Sequence, residues 1–180
     1  MDRRPGGLWH LFSALAVLAC LLWTGGGAAR AAPPPMSLQL PLLGGSRFVK
    51  LSDFTDRAVV LNFWGSECPP CVREMPLLAS LSRQYAAVQF LGVATDTREL
   101  AMRFVDRFRP AYPQLIAINR ADMLMRRFGN MTGGLPYTVV LTPAHRVCAT
   151  HLGEVDAAWI AGALSACVDT HLESSSRTTE

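Results

Sequence analysis

Trp64-Gly65-Ser66-Glu67-Cys68-Pro69-Pro70-Cys71 decides the reading of this chain, because two cysteines two residues apart stand where a strand gives way to a helix. Upstream, Ala58-Val59-Val60-Leu61-Asn62-Phe63-Trp64 is an apolar run rich in β-branched and aromatic residues, which predicts a buried strand. Downstream, the spacing predicts a helix from Pro69 to about Tyr85. Cys68 then falls at or near the helix N-cap, where unpaired backbone N–H groups and the dipole favour a thiolate. Cys71, one turn later on the same face, is placed to resolve a mixed disulfide formed by Cys68. The pattern points to dithiol–disulfide exchange.

The chain has 180 residues, enough for one domain with a proper core. Its first thirty residues stand apart. Arg3 and Arg4 form a basic start, Leu11 to Trp23 is uncharged and apolar, and Ala29-Arg30-Ala31 precedes Pro33-Pro34-Pro35. This is the layout of a secretory signal peptide over residues 1–31, and the apolar run is short against the roughly 20 residues of a spanning helix. An uncleaved membrane anchor through residues 8–29 is the alternative. Val17-Leu18-Ala19-Cys20 imitates a lipoprotein site, but the apolar run continues past Cys20. Export sets the redox compartment: outside the cytoplasm disulfides persist, and a reduced dithiol needs a dedicated electron source. Residues 1–31 carry three of the 17 basic residues and one of the 14 acidic ones, so the remainder holds 14 and 13. A nearly neutral mature domain argues against nucleic acid as a partner.

Residues 36–170 read as one α/β domain without internal repeats. Ser37 to Leu43 and Arg47 to Leu51 suggest a hairpin joined by Gly44-Gly45. Val88 to Ala94 reads as a second buried strand, and Asp96 to Arg109 as a helix with Leu100, Phe104, Val105 and Phe108 on one side. A short extended segment at Gln114 to Ile118 and a helix from Ala121 to Phe128 follow. The strands Tyr137 to Leu141 and Arg146 to Leu152 form a second hairpin. A last helix runs from Val155 to about Val168, and residues 171–180 read as a flexible tail. This order favours a mixed central sheet flanked by helices.

Val60-Leu61-Asn62-Phe63-Trp64-Gly65, followed by Cys68-Pro69-Pro70-Cys71-Val72-Arg73-Glu74-Met75-Pro76, resembles the TlpA/ResA/CcmG branch of extracytoplasmic thioredoxin-like proteins. Gly134-Leu135-Pro136-Tyr137-Thr138-Val139-Val140-Leu141 is similar to that family's cis-proline segment. The resemblance covers roughly residues 36–168 and implies a thioredoxin fold with an N-terminal β-hairpin and an inserted α-β element. It also implies a cis Pro136 beside the cysteine pair, with Leu135-Pro136 as a platform for a substrate strand and Leu152-Gly153 lining its other side. It further implies a periplasmic or other extracytoplasmic location and a membrane electron donor of the DsbD or CcdA type. Clients would be disulfides in cytochrome c apoproteins, oxidase copper-site proteins or other exported thiol proteins. No organic cofactor is implied.

The chain departs from the family's pattern at Glu67, where relatives carry Trp before the first cysteine. A neighbouring carboxylate disfavours the Cys68 thiolate and predicts a reductant rather than a dithiol oxidase of the same fold. The plainer reading is a solvated charge without effect. Asn62 stands where cytoplasmic thioredoxins bury an aspartate that handles protons for the second cysteine. Glu74 is the nearby carboxylate that could replace it, although a surface helix charge is the commoner role for such a residue. Pro69 and Pro70 stiffen the loop and remove two backbone donors.

Cys148 and Cys167 are the natural second pair, and a loop of about 20 residues would stabilise the fold by around 3 kcal/mol; two buried free thiols are the alternative. A copper-binding metallochaperone is the competing function, with Met123, Met125 and Met131 as soft ligands. His145 and His151 read more simply as turn and strand residues, and no metal site is assigned. Arg103, Arg107, Arg109, Arg126 and Arg127 read as a solvated face that an acidic client or membrane surface could use.

Overall fold

The computed structural model describes residues 34–176. The signal or anchor assigned to residues 1–31, with Cys20, lies outside them. Two short strands come first: β1, Gln39–Pro41, pairs antiparallel with β2, Phe48–Lys50. This hairpin is shorter than the sequence predicts because Leu51 turns into a single 3-10 turn, Leu51–Asp53.

The central sheet holds five strands in the order β5-β4-β3-β6-β7. β3 (Val59–Trp64), β4 (Gln89–Ala94) and β5 (Gln114–Ile116) run parallel. β6 (Tyr137–Leu141) and β7 (Val147–Leu152) are antiparallel to their neighbours. The helices are α1 (Pro69–Gln84), α2 (Arg98–Phe108), α3 (Ala121–Arg127) and α4 (Ala157–Ser176). α4 runs past the Val168 limit read from the sequence, to Ser176. None of the described helices is long and apolar enough to cross a membrane.

Both sheet faces are covered, which is why β3 is buried at every position. Its side chains alternate between two cores. Val60 and Trp64 join Met75, Leu78, Phe104, Ile160 and Leu164 under α1, α2 and α4. Val59, Leu61 and Phe63 join Leu91, Leu124 and Phe128 under α3 and the hairpin. Gly92 in β4 makes room for a long-range bond: the Trp64 indole donates to Gln114 Oε1 at 2.9 Å. A Cβ at Gly92 would lie 1.9 Å from that same oxygen.

The β6–β7 register shifts between Val140 and Leu141, which pair with Ala149 and Val147, so Cys148 is the extra residue of a bulge. The bulge also switches faces, since Ala149 packs on the first core and Val147 on the second. Cys148 is thereby brought to α4, where it is bonded to the fully buried Cys167 with the Cα atoms 5.7 Å apart.

Candidate active site

Cys68 is the N-cap of α1, in extended conformation, and Pro69 and Pro70 occupy the first two helical positions. Neither proline has an N–H to donate. Cys71 supplies the first one available, and its N–H donates to Cys68 Sγ at 3.3 Å. The two cysteines are joined as a disulfide with Cα atoms 5.3 Å apart. Cys68 is half-buried, whereas Cys71 is fully buried. Only Cys68 is open to an incoming disulfide, which orders the two thiols as attacker and resolver.

The loop that delivers Cys68 is held from β4. Asp96 accepts a hydrogen bond from the Ser66 N–H, and Thr95 donates through its N–H and its hydroxyl to the Trp64 carbonyl, at 3.0 and 3.2 Å. The sequence marks Asp96 only as the start of a helix. Its actual role depends on the parallel β3–β4 pairing, which sets the ends of both strands side by side.

The Leu135–Pro136 peptide bond is cis, and Pro136 is buried. The Pro136 carbonyl accepts the Gly153 N–H at 2.8 Å, and Gly153 has φ +108°, a left-handed value suited to glycine. Leu152 is 51 % exposed and lies against Gly134, where a Cβ would come within 2.9 Å of Leu152 Cδ1. Leu135 Cδ1 sits 3.4 Å from the position a Gly65 Cβ would take. Leu135, Pro136, Leu152 and Gly153 therefore gather in one place, and Leu135 reaches the loop that carries Cys68. Glu67 is exposed.

Glu74 overturns its sequence reading as a surface charge. It lies one turn beyond Cys71 on the buried face of α1 and is 1 % exposed. Asn62 Nδ2 donates to its Oε1 at 2.8 Å, and the Val155 N–H donates to its Oε2 at 3.0 Å. Asn62 Nδ2 also donates to Thr138 Oγ1 at 3.0 Å across the β3–β6 pair. Burial pushes the Glu74 carboxyl up from 4.5 to about 7, against the lowering effect of its two hydrogen-bond donors. A carboxyl with that pKa takes up and releases a proton near neutrality. Asn62 does not replace the missing acid; it binds it. Thr138 and Val155 are partners the sequence analysis missed, because pairing register and the turn before α4 bring them there.

Outside this centre, the copper-ligand candidates are dispersed. Met125 is buried, Met123 and Met131 are more than half exposed, His145 Nε2 lies 3.1 Å from the Phe54 carbonyl, and His151 packs on Trp159. Among the described residues, no cluster of three His, Cys, Asp or Glu side chains is arranged to hold a metal ion. The arginines do not form one face. Arg103 and Arg107 line a groove beside α1, while Arg127 lines another beneath the N-terminal hairpin and donates to Ser37 Oγ at 2.9 Å.

A half-buried cysteine at a helix N-cap, a buried partner one turn on and a cis-proline loop beside them define a thioredoxin-type dithiol–disulfide site. The sequence profile of the Redoxin family matches residues 30–163. The thiol-disulfide oxidoreductase ResA of Halalkalibacterium halodurans is 30% identical over 164 residues, covering 85% of this chain and 90% of that protein. The crystal structure of a putative thiol:disulfide interchange protein DsbE from Chlorobium tepidum superimposes with a TM-score of 0.66 at 24% identity, over 76% of this chain and 97% of that one. A secreted thiol-disulfide isomerase from Corynebacterium glutamicum gives 0.65 at 25%, over 75% and 83%. The chain belongs to the Redoxin family and is a thiol–disulfide oxidoreductase of the ResA/DsbE type.

Proposed function

We propose that the chain works outside the cytoplasm as a reductant of disulfides in client proteins. The Cys68 thiolate attacks one client sulfur; the client S–S bond breaks, a Cys68–client disulfide forms and the first client thiolate leaves. Cys71 gives its proton to Glu74 and attacks Cys68 Sγ, closing the Cys68–Cys71 bond and releasing the second client thiolate. Two electrons pass from the dithiol to the client, and a membrane donor of the DsbD or CcdA type returns them. Glu74 receives a proton at neutral pH because burial holds its carboxyl near 7.

The observation that carries the direction is the double proline at the start of α1. A helix N-terminus normally offers an N-cap sulfur several N–H groups, and here it offers one, from Cys71. A less stabilised thiolate raises the free energy of the reduced form and makes the couple more reducing. The basic-then-apolar N-terminus supports export, as does similarity to a protein described as secreted. Clients in cytochrome c maturation, oxidase copper-site assembly or other exported thiol proteins fit this chemistry.

Trapping in the native compartment tests the reading. Cys71→Ser should accumulate a mixed disulfide between Cys68 and a client, and adding Cys68→Ser should abolish it. A Cys71→Ser protein that captures no partner there would overturn the client-reductase reading.

A further inference from the structure

α2 carries Leu100, Arg103, Phe104, Arg107 and Phe108 at helical spacing along a single stripe. That stripe faces the start of α1 across an open groove of about 340 Å³, closed on the far side by Ser66 and Val72. These two residues bracket the Cys68–Cys71 pair in sequence, which sets the groove beside the disulfide without either cysteine lining it. Its floor is apolar and rigid: the Phe104 ring lies 4.7 Å from Trp64 and 4.5 Å from Phe108. Its rim is cationic. Arg107 lies 5.2 Å over the Phe108 ring and has no ion-pair partner among the described residues. Among the described residues Arg103 pairs only with Glu99 on its own helix, with both side chains mostly exposed.

We propose that this groove binds the client segment beside its disulfide and selects segments in which carboxylates alternate with an apolar side chain. This rests on the client-reductase reading and names the partner's chemistry. The apolar side chain would lie on Leu100, Phe104 and Phe108 while the carboxylates meet the guanidinium forks of Arg107 and Arg103, which suit carboxylate geometry. Weak rim pairs of this kind act mainly on encounter and specificity, so the preference should weaken with salt.

The test uses the reduced protein and short peptides whose single cysteine is held as a mixed disulfide with thionitrobenzoate. Attack on the peptide sulfur releases the coloured thiol. Peptides flanked by Glu-Leu-Glu should react with a single-turnover second-order rate constant roughly tenfold above Lys-Leu-Lys peptides at low salt, two exposed ion pairs each giving a fewfold effect. Arg103→Glu/Arg107→Glu should reverse that order, Arg103→Gln/Arg107→Gln should flatten it, and all three proteins should reduce the uncharged mercaptoethanol disulfide equally fast. Equal rates for the two peptides in the parent protein, or an unchanged preference in both double variants, would overturn the groove's role alone. Failure to reduce any peptide disulfide would instead overturn the client-reductase reading.

Discussion

Replacing Glu74 by Gln should remove a pH dependence of stability that the parent protein shows. In the folded state burial raises the carboxyl from 4.5 to about 7. Between those values the folded protein holds a proton that the unfolded chain has released, so stability falls as pH rises. The full contribution is present below about 4.5 and is lost as pH passes through about 7. At about 1.36 kcal/mol per pKa unit, a difference of 2.5 units (7 minus 4.5) corresponds to roughly 3 kcal/mol. Gln fits the same site. Its oxygen can keep the Val155 N–H, and a flipped Asn62 amide would offer Oδ1, which has no partner among the described residues, to the new NH₂. Urea unfolding of the oxidised proteins at pH 5 and pH 8 reads the effect. The parent should lose roughly 2.5 kcal/mol more than Glu74→Gln over that interval, about 1.7 M in midpoint at an m-value of about 1.5 kcal/mol/M. Titration of other groups cancels in the comparison. Parallel pH curves for the two proteins would refute the raised carboxyl, and with it the reason for giving Glu74 the Cys71 proton.

Three further outcomes follow from the same geometry. Pro70→Ala restores an N–H at the second helical position; it should lower the Cys68 pKa by roughly one unit, followed by thiolate absorbance, and raise the potential by about 30 mV at pH above the thiol pKa. Glu67→Trp should lower the Cys68 pKa by less than one unit, because the carboxylate it removes is exposed and screened, and the difference should shrink in 1 M salt. Cys148→Ser/Cys167→Ser opens a bridge of sequence separation 19 and should cost on the order of 3 kcal/mol in urea unfolding, with Cys68 reactivity towards a small disulfide retained.

The strand–CxxC–helix segment was legible in the sequence because its signals are local. The apolar run ends at Trp64, helix-starting prolines follow, and the observed bounds of β3 and α1 lie close to those expected. Leu135-Pro136 was legible through resemblance, since nothing in its own composition brings it to Gly65. Glu74 was misjudged because helical periodicity places it beside both buried and exposed positions, and only the Asn62, Thr138 and Val155 partners make its burial tolerable. Asp96 and Gln114 were passed over for the same reason: their hydrogen bonds cross from strand to strand. The Cys148 bulge is a matter of register, which no local pattern states. The hairpin bounds were the loosest, as strands of three residues leave little periodicity to read.

In the proposed function, Cys68 and Cys71 form a reducing couple, starved of N–H donors by Pro69 and Pro70 and coupled to the Glu74 proton. Equilibration of the purified protein against glutathione or dithiothreitol buffers at pH 7 measures its potential directly. A reducing couple should give a value on the thioredoxin side of the scale, below about −230 mV. A potential near the roughly −120 mV of a strong disulfide oxidant would contradict it.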